Sequence, residues 1–130
     1  MDGQQGSPIG RVSTAAAREW LERNLEAFWL EGPKAFVTHI VIADDVLSYM
    51  DKDLDWAEAH LLLGRAYERL IKVSDTLGIT WADMGRVYAD HARLAYRAAV
   101  DAFFLLDRPE RARAGQEALE SLLRLQEGRS

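Results

Sequence analysis

Histidine is the side chain that titrates near neutral pH, and this chain has three: His39, His60 and His91. None stands at a spacing that builds a site, and each is read as a lone surface or edge residue. Glu58 and His60 are two residues apart and cannot share a helix face. No pair of histidines has the spacing of a helical metal site. Cysteine is absent, which excludes a disulfide scaffold, a cysteine zinc site and a thiol nucleophile. Asp51, Asp53, Asp55 and Glu58 alternate like calcium ligands. A calcium loop of that kind needs glycine at its sixth position and glutamate at its twelfth. Trp56 and Leu62 stand there, so the acids are read as helix caps. No nucleophile elbow and no glycine-rich phosphate loop occurs. The chain is read as non-enzymatic, with no metal, no cofactor and no small-molecule substrate expected.

The elements that would carry these residues are helical. Ser13 can cap a first helix running to about Glu31, with Trp20, Leu21, Leu25, Phe28 and Trp29 on one face. Gly32-Pro33 ends it. Lys34–Met50 is expected to be a second helix. Its β-branched cluster at Val37–Ile42 suits a strand, but no second strand exists to pair with it. Residues 51–55 turn and cap a third helix, about Asp55 to Thr76, with Ala59, Leu62, Leu63, Ala66, Leu70, Val73 and Leu77 as its apolar set. A fourth element starts at Trp81. Asp107-Arg108-Pro109-Glu110 starts a fifth, with Asp107 as its cap, running to about Gln126. Ala118, Leu119, Leu122, Leu123 and Leu125 are its apolar residues.

The run from Leu77 to Arg86 has the densest local signals. Gly78 suits the left-handed position that ends a helix. Thr80 can cap the next one, Asp83 completes an acidic capping box, and Ile79 and Met84 flank it as a staple. This order of glycine, β-branched residue, Thr, Trp-Ala, acid, aliphatic and Gly-Arg resembles the middle of the helix-turn-helix in many bacterial DNA-binding regulators. The resemblance implies a turn at Tyr88-Ala89-Asp90 and a recognition helix from about His91. It implies that Arg86, His91, Arg93, Tyr96 and Arg97 face DNA. Against the turn, Trp81, Met84, Tyr88, Ala92, Ala95, Ala99, Ala102 and Leu106 recur at three- and four-residue spacing straight through it. A left-handed Ala89 would also cost roughly 1 kcal/mol or more. The stripe predicts one continuous helix, with Arg86–Asp90 and Arg97–Asp101 as surface pairs.

Two weaker resemblances complete the set. Leu63-Gly64-x-x-Tyr67 and Met84-Gly85-x-x-Tyr88 are similar to the start of a tetratricopeptide repeat, with Pro109 where such a repeat ends. Their spacing of 21 rather than the required 34 implies a helical hairpin rather than a repeat array. Arg86-x4-His91 is similar to the motif of HEPN-domain ribonucleases, in which the two residues meet across a dimer.

The 130 residues suffice for one domain with a real core. Net charge is −5 and uneven. Residues 1–60 hold 5 Lys/Arg against 11 Asp/Glu, and residues 61–130 hold 11 against 10. A basic footprint for nucleic acid is absent at this scale. No signal peptide or membrane span is visible, and a cytoplasmic location is expected.

The expected fold is all-α: about five helices in a single small bundle-like domain over residues 13–126, after a flexible tail at 1–12. Within it, residues 13–52 are N-terminal helices, 54–107 a helix-turn-helix or long αα-hairpin, and 108–126 a C-terminal helix. Three functions compete. The first is a small DNA-binding transcriptional regulator. The second is a non-catalytic helical module that binds a protein partner or itself. The third, implied by the last resemblance, is a HEPN-like ribonuclease.

Overall fold

The computed structural model describes residues 13–73 and 84–128. Five helices, and no strand, are found among the described residues: α1 (Thr14–Glu31), α2 (Pro33–Leu47), α3 (Leu54–Lys72), α4 (Arg86–Leu105) and α5 (Pro109–Glu127). None is long and apolar enough to cross a membrane. The expected tail at 1–12, the helix end at Thr76, and the Gly78, Thr80, Trp81 and Asp83 signals lie outside the described residues.

Caps read from sequence operate at three boundaries. The Ser13 hydroxyl accepts from the Ala16 N–H at 3.0 Å, a contact of about 1 kcal/mol. Gly32, at φ 117°, turns the chain between α1 and α2, and Pro33 opens α2 where no N–H is needed. Asp53 caps α3 by accepting from the Trp56 N–H at 2.9 Å. The α4–α5 corner differs from expectation. Asp107 does not cap α5. It takes a left-handed conformation, φ 58°, and closes α4 instead. Its N–H donates to Phe104 O at 3.1 Å, and the Arg108 N–H donates to Phe103 O at 2.8 Å. This is the double closure usually given to glycine; the short polar side chain of aspartate tolerates it.

Packing is centred on α3, which touches α1, α2 and α4. Its buried set, from Trp56 to Ile71, extends well beyond one stripe. Helix α4 lies antiparallel to α3: Tyr96 packs on Gly64 while Tyr67 stacks beside Tyr88 and His91. Helix α5 packs on α4 beside α3, with Gly115 against Val100. Both glycines are required by proximity. A Cβ on Gly64 would collide with the Tyr96 ring, and one on Gly115 would come within 2.6 Å of Val100 Cγ2. Removing those two side chains lets α4 seat between α3 and α5. On α4 itself Ala89, Ala92, Ala95, Ala99 and Ala102 serve the same approach. The buried residues form one cluster shared by all five helices.

The helical hairpin read over 54–107 is formed by α3 and α4. The turn at Tyr88-Ala89-Asp90 is not formed. Residues 86–105 are one unbroken helix, entered through a wider turn at Met84-Gly85. Ala89 is fully buried inside it. A left-handed Ala89 would forfeit that burial and move Tyr88 off Tyr67.

Candidate functional site

The residues expected to face DNA divide on α4. Arg86, His91, Arg93 and Arg97 are exposed. Tyr96 is not: it is 1% exposed, and its hydroxyl donates to Glu68 Oε1 at 2.7 Å. Tyr96 is therefore withdrawn from any groove-facing set, because α3 covers it. Arg93 is held by Asp90 at 3.4 Å. The expected surface pairs Arg86–Asp90 and Arg97–Asp101 do not form; Asp90 turns to Arg93 instead. The outer face of α4 thus mixes three arginines with Asp90 and Asp101 and forms no basic stripe. Arg86 and His91 stand about 140° apart around the helix, so one chain does not bring them together.

The histidines were read as lone surface or edge residues. His91 and His39 fit that: His91 stacks on Tyr67 with ring centroids 5.0 Å apart, and half-buried His39 stacks on Phe28 at 3.7 Å. His60 does not. It is buried, its ring lies 3.8 Å from Trp56, and its Nδ1–H donates to Trp56 O at 3.0 Å. Burial lowers its pKa. Three of the four acids that alternate like calcium ligands are separately engaged. Asp53 caps α3 and accepts from the Thr14 hydroxyl. Asp55 pairs with Arg18 at 3.0 Å, and Glu58 with Arg111 at 2.6 Å.

A concavity lies elsewhere, between α3 and α5, with α4 as its floor. Helices α3 and α5 run parallel, joined at one end by the Glu58–Arg111 fork and by Leu61 beside Gly115. Beyond that join they border a groove of about 510 Å³, walled by Arg65, Arg69, Lys72 and Val73 on one side and Ala118 and Ser121 on the other. Tyr96 and Glu68 form its base.

The charges of the groove are ordered. Glu68 is a buried carboxylate with two partners, the Tyr96 hydroxyl and Lys72 Nζ at 3.0 Å. Such burial is tolerated because both oxygens are engaged. Burial, and then the hydrogen bond to Glu68, raise the Tyr96 phenol far above its ordinary range. Arg69 reaches the other way. It forks onto both oxygens of Glu26 at 3.0 and 3.2 Å and lies over the Trp29 ring at 4.1 Å. That fork pulls the Glu26 carboxyl below its usual range. Arg65 is exposed and has no ion pair among the described residues. The wall therefore offers a free guanidinium, an ammonium and one edge of a stacked guanidinium, over a neutralised base. It suits carboxylates.

Sequence reading passed over this site. Its signal was present: Arg65, Arg69 and Lys72 follow at spacings of four and three and so share one face of α3. What sequence does not show is that α5 returns alongside to make the second wall.

The chain matches no protein-family model, no curated protein and no solved structure.

Proposed function

We propose that this protein is a non-catalytic helical interaction module whose groove between α3 and α5 binds an acidic segment of a partner protein. The observation that carries the reading is the cationic wall of Arg65, Arg69 and Lys72 above the Tyr96–Glu68 base. The groove is of the size of a ligand cleft. Its base is already hydrogen-bonded, so binding need not leave a buried polar group exposed to desolvation. Arg65 would fork onto an incoming carboxylate. A cytoplasmic location belongs to the same proposal.

The test is fluorescence anisotropy with a labelled peptide of alternating Glu and Leu, against a Lys-substituted control. Binding of the acidic peptide alone, weakened about tenfold or more by Arg65→Glu, is the expected result. No binding of the acidic peptide, or equal binding of both, overturns it. The DNA-binding reading is tested in parallel with a duplex titrated against salt. Affinity lost in Arg93→Ala/Arg97→Ala, with a reduced salt slope, would replace the peptide reading. The continuous α4 and its mixed charge weigh against that outcome.

A further inference from the structure

The outer face of α4 carries a second, smaller pattern, on the flank where His91 meets Tyr67 of α3. Val87, His91, Leu94, Ala98, Asp101 and Leu105 follow at spacings of four, three, four, three and four. This is the seven-residue seam of a coiled coil, and its larger apolar residues stay open among the described residues. Val87 is 39% exposed, Leu94 59% and Leu105 84%. His91 and Asp101 are also exposed, and neither has an ion pair among the described residues.

We infer that this seam is a homodimer contact, in which α4 of one chain lies antiparallel on α4 of a second copy. The order of residues is self-complementary in that direction only. With a twofold axis level with Tyr96, Leu94 meets Ala98 of the second copy, His91 meets its Asp101, and Val87 meets its Leu105. Each apolar residue faces an apolar one, and each imidazole faces a carboxylate. Large residues oppose smaller ones, Leu94 on alanine and Leu105 on valine, which keeps the layers even. A parallel pair would set Asp101 against Asp101 and His91 against His91, leaving both polar layers without complement. A twofold contact requires that surface be complementary to itself, and this seam meets that condition at every layer.

The imidazole is positioned for the role. Stacking on Tyr67 at an interplanar angle of 17° holds the His91 ring at the edge of the seam. Heptad spacing favours a shallow crossing of about 20°. The seam runs for about 27 Å, taking 1.5 Å per residue. A pair of helices of that length buries on the order of 1,000 Å², the lower range for a specific interface. The dimer is accordingly expected to exchange with monomer at micromolar concentration. The contact does not depend on the groove between α3 and α5, which lies on the other side of α4, so either proposal can fail alone.

Sedimentation equilibrium on the full chain tests it. The expected result is a concentration-dependent dimer. Leu94→Asp, on an exposed position that folding does not need, should weaken it by about a hundredfold, since the change enters the interface twice. His91→Asp or Asp101→His alone should each weaken it about tenfold or more. The double exchange should recover most of the loss, because every layer again pairs imidazole with carboxylate. Direction is read by crosslinking. The chain has no cysteine of its own, so a mixture of Leu94→Cys and Ala98→Cys chains should form the mixed disulfide under mild oxidant, and Leu94→Cys chains alone should not. A monomer at every concentration overturns the inference. So does a dimer indifferent to Leu94→Asp, or one that crosslinks Leu94→Cys to itself.

Discussion

His60 shows how much a single side chain depends on its neighbours. It lies buried against Trp56, its Nδ1–H is given to the Trp56 carbonyl, and its nearest charges are Asp44, which favours the imidazolium, and Lys52, which opposes it. Desolvation outweighs the hydrogen bond and Asp44, so the folded protein holds the ring neutral more firmly than the unfolded chain does. The unfolded chain then binds more protons below its own value of about 6.5. The contribution of His60 to stability is complete above that pH and is lost as pH falls through the lower folded value. Urea unfolding at about pH 7 and about pH 5 measures it. The wild-type midpoint should fall more than that of His60→Gln, and equal falls would show that the ring is solvated. Sequence alone pointed the other way, to an exposed histidine. The stripe read on α3 passed through Ala59 and Leu63 and left His60 beside it. Only the wrapping of α3 by three helices buries the flank. Tyr96 was misread for the same reason: Ala92, Ala95 and Ala99 marked the core face of α4, but not its width.

At the scale of elements, the chain's local chemistry was largely legible. Ser13, Pro33 and Asp53 act where their types and positions say they should, because a cap is a contact between near neighbours. The stripe through Tyr88, Ala92, Ala95, Ala99 and Ala102 likewise identified a continuous α4. The likeness to a helix-turn-helix pointed to a turn at Ala89, and there the burial of Ala89 decides for the helix. Two features needed the fold. Asp107 closes α4 rather than capping α5, a choice set by where α5 must go. Gly64 and Gly115 look like ordinary helix weaknesses in the sequence and prove to be contact points. Gly64→Ala should therefore destabilise by about 1–3 kcal/mol through overpacking against Tyr96, although alanine is the better helix former. Gly128→Ala, where the nearest atom to an added Cβ is 3.7 Å away, provides the control. Chemical denaturation of the two variants checks this, and a Gly64→Ala protein as stable as wild type would remove the close approach of α3 and α4.

Across the whole molecule, the candidate groove was the least legible part, since its walls come from residues some fifty positions apart. Arg65 and Lys72 are visible as a charged face of α3, but a charged face is most often only solvated. Its meaning comes from α5, which runs parallel to α3 because α4 reverses the chain between them. The seam on α4 follows the opposite logic. Its spacing is entirely local, yet its use depends on which face α3 and α5 leave open.

Helix α1 is joined to α3 through Thr14–Asp53, Arg18–Asp55 and Glu26–Arg69, whereas α4 is joined through glycine, alanine and tyrosine. Helices α1 and α4 therefore answer to different solvent variables. At about 1 M sodium chloride the Debye length shrinks to about 3 Å, and half-exposed ion pairs lose much of their modest value. Amide exchange in α1 should then quicken by about threefold, equivalent to ~0.6 kcal/mol, while exchange in the centre of α4 stays unchanged. Equal acceleration in both helices would mean that the ion pairs tether nothing. If the difference holds, ionic strength can loosen the first helix by itself and leave intact the α4 surface on which the proposed dimer depends.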